Sequence, residues 1–176
     1  MRPIFVNITA CLAMLLMLAG CETASKIVEV IKDPDIQVGE DVVQPSRIAI
    51  HAYAAAEVNR NFDDEPSPII VKVYALSSDH RFYSFDFFSL TEEPEETLGV
   101  TLLENIDENM LEPDTYKILG PYEMPKGTRQ IAVIAEYLDL ESSVWRTSYK
   151  VADIGSNDRL LLLLLEEEAR LISQNE

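Results

Sequence analysis

Alternation of apolar side chains is the feature that most constrains what this chain can fold into. In RIAIHAY (47–53), Ile48, Ile50 and Ala52 fall on one side of an extended backbone. Successive side chains of a strand point to opposite faces of a sheet, so this pattern predicts a strand with one buried face. The same period recurs in IIVKVYAL (69–76), RQIAVIAEYLD (129–139) and VWRTSYKV (144–151), with DTYKILG (114–120) as a shorter candidate.

Turn-forming residues separate these segments. NRNFDDEPSP (59–68), MPKGT (124–128) and LESS (140–143) are rich in Gly, Pro, Asn, Asp and Ser. Such residues interrupt regular structure by their backbone preferences. Short strands at this spacing predict an all-β fold, a two-sheet β-sandwich.

One region departs from the alternating pattern. HRFYSFDFFSL (80–90) places Phe82, Phe85 and Phe88 at steps of three, and ETLGVTLLENI (96–106) places apolar residues at steps of four. Both spacings predict short helical pieces, so we expect a small helical insertion at about 80–108 that packs on the sandwich. The phenylalanines are interpreted as core.

The tail NDRLLLLLLEEEARLISQNE (157–176) is compatible with two structures. Its Leu, Glu, Ala and Arg residues favour a helix, which Asn157 or Asp158 could cap. Six consecutive leucines, 160–165, also suit a central strand buried on both faces. The residues alone leave helix and strand open.

The net charge of the chain restricts the kinds of partner it can bind. The 176-residue chain has 14 basic and 31 acidic side chains and a formal net charge of −17. Such a field repels phosphate backbones, which argues against nucleic-acid binding. Excess acid usually serves solubility, and a basic protein surface is the more specific alternative.

The sequence offers little for catalysis. It holds two histidines, His51 and His80, and two cysteines, without HExxH, GxGxxG or GxSxG spacing. Acidic runs such as those at 63–65 and 92–96 normally face solvent. We therefore predict no catalytic residue, no metal site and no cofactor; a hydrolase would need His51 or His80 beside a serine and a carboxylate in a cleft.

The first 21 residues have the organisation of a secretion signal. Arg2 precedes an apolar segment whose continuous part, 10–20, is about half of the ~20 residues that a membrane-spanning helix needs. Leu18-Ala19-Gly20-Cys21 resembles the lipobox of bacterial lipoproteins, in which cleavage precedes an acylated cysteine. This resemblance implies lipidation of Cys21, with Glu22 in place of the aspartate that resembles an inner-membrane retention signal.

These observations predict three parts of the chain. Residues 1–20 form a lipoprotein signal peptide, 21–45 an acylated N-terminus and tether, and 46–176 the β-sandwich domain. The tether is assigned because its charges, Gly39, Pro34 and Pro45 interrupt any sustained period.

The order of motifs resembles the outer-membrane lipoprotein family of type VI secretion systems, known as TssJ, SciN or VasD. The shared elements are a Pro-Ser-Pro entry (66–68), a Val-rich strand (71–76), an Asp-Phe-Phe-x-Leu helix (86–90) and a stretch ending in Trp-Arg (136–146). Two motifs depart: the family's Leu-x-Pro-Gly is Leu-Glu-Pro-Asp (111–114), and its Phe-Arg-Asp is Tyr-Leu-Asp (137–139). The first departure could alter a turn, and the second removes one contact.

The resemblance implies a transthyretin-like sandwich with the tail as a strand. It also implies an adaptor on the periplasmic face of the outer membrane that binds the periplasmic C-terminal domain of the inner-membrane protein TssM. The implied contact is the connection between the first two strands, where Phe62 either protrudes as an anchor or folds inward. That partner-binding loop comprises Asn59, Arg60, Asn61, Phe62, Asp63, Asp64, Glu65, Pro66 and Ser67.

An alternative is a periplasmic β-sandwich lipoprotein that carries a small ligand or assists envelope assembly. A closed, polar-lined cavity would favour the carrier. A rigid loop protruding from one end of the sandwich would favour the adaptor.

Overall fold

The structure is a computed structural model that describes residues 44–151 and 155–174. Eight strands, three short helices and one 3₁₀ turn make up this part of the chain. In chain order they are β1 (Arg47–Ala54), β2 (Ile69–Leu76), α1 (His80–Ser84), α2 (Phe87–Glu92), α3 (Pro94–Leu98), the 3₁₀ turn (Gly99–Thr101), β3 (Leu102–Leu111), β4 (Thr115–Glu123), β5 (Gln130–Glu136), β6 (Arg146–Lys150), β7 (Asn157–Leu164) and β8 (Ala169–Ser173).

The strands form two four-stranded sheets, which confirms the predicted all-β sandwich. The first sheet has the order β4-β1-β7-β8 and the second β3-β2-β5-β6. β1 and β7 pair in parallel, and the other pairings between these strands are antiparallel.

The alternating residues supply the core between the sheets. Ile48, Ile50 and Ala52 of β1 are fully buried, and Val71 and Val73 face them from β2. Burying one such aliphatic side chain contributes roughly 1.5–3 kcal/mol to stability. This is larger than the intrinsic preference of a single residue for strand or helix. The period-two pattern therefore determines both the strand and its inner face.

The leucine run is a strand, as the family resemblance implies. Leu160, Leu162 and Leu164 are buried, while Leu161 and Leu163 are half-buried on the other face. β7 pairs along its whole length with β1, with Leu160 opposite Ile50. Packing of the inner leucines between the sheets overrides the helical propensity of the segment.

The helices cover the outer face of the second sheet. Phe82, Leu90 and Leu98 pack against Tyr74 and Ile134 in a second apolar cluster. This cover explains why β2 and β5 are buried on both faces along part of their length.

The helical insertion is shorter than predicted. Helical structure ends at Thr101, and Leu102–Leu111 is strand β3, so the expectation of helix through Ile106 is wrong. Gly99 takes φ +52 at the end of α3, and pairing of Leu102 with Leu76 then draws the chain into the second sheet. The ladder satisfies backbone groups that an isolated helical turn would leave exposed.

The core interpretation of the phenylalanines holds only in part. Phe82 is buried, but Phe85 and Phe88 are exposed. The chain becomes extended at Phe85 between α1 and α2, which breaks the three-residue period that predicted one buried face.

The direction of β1 defines two ends of the sandwich. The described chain starts at Gln44, immediately before β1, and β1 runs from there to the opposite end. That opposite end is here called the loop end. Ala54 pairs with Leu164, Ile69 with Leu111 and Ile70 with Glu136, so the ends of these strands lie side by side there. The loop end therefore carries the connections 55–68, 112–114, 137–145 and 165–168. Within the described ranges, no helix has the length and apolarity to cross a membrane.

Candidate partner-binding surface

Asn59 joins three connections at the loop end. Its backbone N–H donates to the carbonyl oxygen of Glu166 at 3.2 Å, and its Nδ2 donates to that of Pro68 at 2.7 Å. Its Oδ1 accepts from the N–H of Leu138 at 2.7 Å. One side chain thus satisfies backbone groups of the β1–β2 and β5–β6 connections, while its main chain holds the β7–β8 turn.

The conformation of Asn59 explains the residue type. It has φ +52 and is 3% exposed. Asn tolerates the left-handed region better than most residues, and its amide supplies a donor and an acceptor together. Gly would adopt the same backbone conformation but would leave the carbonyl oxygen of Pro68 and the N–H of Leu138 without this hydrogen-bond partner.

The tip of the loop is a tight turn built on Asn61. Its Oδ1 accepts from the N–H groups of Asp63 at 2.9 Å and Glu65 at 3.0 Å. Its own N–H donates to the carbonyl oxygen of Glu65 at 2.9 Å, and Asp64 takes φ +62. This is the local side-chain-to-backbone bonding by which Asn defines turns.

Arg60 links the loop to the β7–β8 turn. Its Nε lies 3.0 Å from Oε1 of Glu166, and its guanidinium lies 3.4 Å from Oδ1 of Asp64. The guanidinium also donates to the carbonyl oxygen of Asp64. The cation is therefore engaged within the surface.

Phe62 projects from this turn into solvent. The residue is fully exposed, at 104% of the reference accessible surface of phenylalanine. Phe62 therefore protrudes and does not fold inward onto the sandwich. Leu138 is exposed as well, at 55%. Phe62 and Leu138 line one cleft of about 390 Å³ together with Asn59, Arg60, Asn61, Asp64, Tyr137, Asp139, Glu166 and Glu167.

Carboxylates surround the two apolar side chains. Asp139 accepts from the N–H groups of Ser142 at 3.2 Å and Glu141 at 3.1 Å. Hydrogen bonds from Ser142, then from Glu141, hold the pKa of Asp139 below its usual range, so it is ionised at neutral pH. Asp64, Glu166 and Glu167 add exposed acidic side chains to the lining of the same cleft, and Asp63 and Glu65 are exposed on the loop beside Phe62.

Tyr137 fixes the floor of the cleft. It is 5% exposed, and its hydroxyl donates to the carbonyl oxygen of Leu165 at 3.0 Å. Burial raises the pKa of Tyr137, and the charge of Glu168 adds to the effect. The hydroxyl thus stays a donor and holds the end of β5 against the β7–β8 turn.

The turn that departs from the family pattern keeps a left-handed residue. Asp114 stands where the family has Gly and takes φ +54. Its Oδ1 accepts from the hydroxyl of Tyr53 at 3.1 Å, and this hydrogen bond raises the pKa of Tyr53. Asp is among the residues that tolerate this conformation.

The predicted loop residues are brought together as one compact connection. Ser67 ends it, where its N–H donates to the carbonyl oxygen of Val58 at 3.2 Å. Cys21, the predicted lipidation site, lies outside the described residues. Sequence reasoning did not place Leu138 or Glu166 in the site, because no local motif reveals a hydrogen bond between loops 79 residues apart.

The histidines lie elsewhere. His51 contacts the hydroxyl of Tyr116 on the outer face of the first sheet, and the N–H of His80 donates to Oγ of Ser78 at 3.3 Å before α1. Over residues 44–151 and 155–174, no three His, Cys, Asp or Glu side chains are grouped to hold a metal ion.

The fold and this surface define a small all-β sandwich with an exposed, hydrogen-bonded loop at one end. A family model described as "Type VI secretion lipoprotein, VasD, EvfM, TssJ" matches residues 46–166. The chain belongs to this family of type VI secretion lipoproteins.

Solved structures agree with this membership. The T6SS lipoprotein TssJ1 from Pseudomonas aeruginosa is similar at 27% identity with a TM-score of 0.70, over 75% of this chain and 98% of that one. Serratia marcescens Lip, a membrane-bound component of the type VI secretion system, is similar at 28% identity with a TM-score of 0.67, over 72% and 96%.

A third likeness concerns the fold alone. A chain in a structure of the T6SS protein TssM C-terminal domain (869–1107) from EAEC is 19% identical, with a TM-score of 0.60, over 71% of this chain and 99% of that one. The comparison with curated protein sequences gives no significant match.

Proposed function

We propose that this lipoprotein is the outer-membrane-anchored adaptor of a type VI secretion membrane complex, and that it binds the periplasmic domain of TssM through the loop 59–67. The observation that carries the proposal is the fully exposed Phe62 on a hydrogen-bonded, fixed loop. Exposed aromatic side chains on a preorganised backbone are efficient interface anchors, because little conformational entropy is lost on binding.

The position of the loop supports the same role. Gln44, where the described chain begins, and the loop 59–67 lie at opposite ends of β1. A domain held at Gln44 presents Phe62 at its opposite end. This arrangement suits a protein that is held on one membrane and meets a partner reaching from the other.

Anchoring is proposed through acylation of Cys21 on the periplasmic face of the outer membrane. Family membership supports a lipoprotein, and the lipobox residues 18–21 supply the modification site. Each buried methylene contributes about 0.8 kcal/mol, so two or more acyl chains give stable attachment. Cys21→Ser should move the protein from the outer-membrane fraction to the soluble periplasmic fraction; retention in the membrane would contradict acylation as the anchor.

Partner binding is tested by co-purification of the tagged full chain with the TssM periplasmic region from the same gene cluster. The wild type should retain TssM. The triple variant Phe62→Ala, Asp63→Asn, Asp64→Asn should lose it while remaining folded by circular dichroism. Equal recovery with the triple variant would remove the loop assignment, and failure of the wild type to recover TssM would remove the adaptor role.

The described residues do not favour the small-ligand carrier. The clefts described at the two ends of the sandwich, of about 390 Å³ at the loop end and about 420 Å³ beside Gln44 and Glu123, are open to solvent. Carrier sites bury most of their ligand in an enclosed pocket.

A further inference from the structure

Two exposed apolar side chains at the loop end come from connections far apart in the chain. Phe62 belongs to the β1–β2 connection and Leu138 to the β5–β6 connection, and both line the same cleft. Each lies on a fixed backbone, since Asn61 holds the turn around Phe62 and Asn59 holds the N–H of Leu138. The pair is therefore positioned before any partner arrives.

The charges around the pair are predominantly negative. Asp139, Glu166 and Glu167 line the cleft from the β5–β6 and β7–β8 connections, outside the loop 59–67. Arg60 is the cation that lines it, and this guanidinium already lies against Asp64 and Glu166. An approaching protein meets an apolar centre with an acidic border.

We propose that the recognition surface is composite, with Phe62 and Leu138 forming one apolar anchor and the carboxylates of Asp139 and Glu167 extending its acidic rim. The proposal rests on the adaptor function above and specifies its partner chemistry. The complementary face of the TssM periplasmic domain presents an apolar pocket bordered by Lys or Arg side chains.

The two parts of the surface have different roles. Buried apolar anchors determine how long a complex lasts, because their removal from water is complete only when the pocket closes over them. Exposed rim charges mainly steer the encounter and are screened by salt. The apolar centre thus controls dissociation, and the acidic rim controls the rate of association.

The apolar part is tested by binding kinetics of the full lipoprotein in detergent with the TssM periplasmic region. Leu138→Ala should weaken binding by at least about tenfold, mainly through faster dissociation. Val100→Ala, at another exposed apolar side chain on the 3₁₀ turn after α3, is the matched control and should leave affinity unchanged. Leu138→Ala binding like wild type would overturn the composite anchor.

A double-mutant cycle tests whether the pair acts as one unit. If Phe62 and Leu138 enter the same pocket, the double Ala variant should lose less affinity than the product of the two single losses. Independent losses that multiply would mean two separate contacts and would overturn the single anchor.

The rim is tested with Asp139→Asn plus Glu167→Gln. This variant should associate more slowly at low salt and show a weaker dependence of association on ionic strength, with little change in dissociation. Glu104→Gln plus Glu95→Gln removes the same charge from exposed sites on β3 and α3 and is the control. Equal association rates for the two double variants would overturn the rim assignment.

These results separate the two proposals. If wild type does not bind the TssM region, the adaptor function fails. If wild type binds and Phe62→Ala weakens binding while Leu138→Ala does not, the loop assignment stands and the composite surface fails.

Discussion

Oδ1 of Asn59 accepts a hydrogen bond of 2.7 Å from the backbone N–H of Leu138, across 79 residues of sequence. The bond places the turn that carries Phe62 against the connection that carries Leu138. The same amide donates to the carbonyl oxygen of Pro68, where the chain enters β2. The shape of the loop end thus depends on one buried polar side chain.

Asn59→Ala should lower the free energy of unfolding by about 2–4 kcal/mol. It leaves the N–H of Leu138 and the carbonyl of Pro68 without their partner, and it places a Cβ-bearing residue without a polar side chain at φ +52. Chemical denaturation measures the change. Asn105→Ala on the exposed edge strand β3 is the control and should stay within about 0.5 kcal/mol of wild type; similar values for the two variants would contradict the role of Asn59.

Leu162→Ala should cost about 2–5 kcal/mol, because it opens a cavity between the two sheets. Ile172→Ala, on the outer face of the same sheet and 40% exposed, should cost less than about 1 kcal/mol. Thermal or urea unfolding of both variants tests the register of β7 and β8. Reversed costs would mean that the inner and outer faces are wrongly assigned.

Asp86 should make stability depend on pH. Its carboxylate caps α2 by accepting from the N–H of Ser89 at 3.1 Å and from its hydroxyl at 2.8 Å, and these bonds lower the pKa of Asp86. The folded state therefore prefers the ionised form, so the stabilisation is complete above the unfolded pKa of about 3.9 and is lost as pH falls through the folded value.

The measurement is the melting temperature of wild type and Asp86→Asn between neutral and acidic pH. The Asn side chain can still cap the helix, so the difference in melting temperature between the two proteins reports the contribution of the carboxylate charge. This difference should shrink toward low pH. Ser89→Ala, which removes the hydroxyl donor, should reduce the same pH dependence. A gap that is constant with pH would contradict the assignment.

Asp114 tests whether the turn before β4 tolerates the family's glycine. Asp114→Gly keeps φ +54 accessible, whereas Asp114→Ala must hold a Cβ in the left-handed region. We expect the Ala variant to be less stable than the Gly variant by roughly 1 kcal/mol in denaturant unfolding. An Ala variant of equal or greater stability would show that the turn relaxes to another conformation.

Much of the fold could be predicted because burial follows the period of the strands. Ile48, Ile50 and Ala52 alternate in the sequence and are fully buried in β1. The four-residue spacing of Leu98, Leu102 and Ile106 predicts a helix, but pairing with β2 makes Leu102–Leu111 a strand. That pairing is a long-range interaction that a local period does not contain.

The loop of the candidate surface could be predicted from the sequence, but its contacts with other connections could not. Composition predicts a turn at 59–68 with an acidic triplet and one aromatic side chain, and the family resemblance implies residues 59–67 as the contact. The positive φ of Asn59 and its bond to Leu138 arise only when β1, β2 and β5 have assembled. Leu138 therefore entered the surface through tertiary structure and not through any motif around it.

The central claim is most directly tested by calorimetric titration of the TssM periplasmic region with the full lipoprotein and its Phe62→Ala variant. Phe88→Ala, an exposed phenylalanine on α2, controls for loss of an aromatic surface. We predict that Phe62→Ala weakens binding by at least about tenfold while Phe88→Ala binds like wild type. Equal affinity of wild type and Phe62→Ala for TssM would contradict the account.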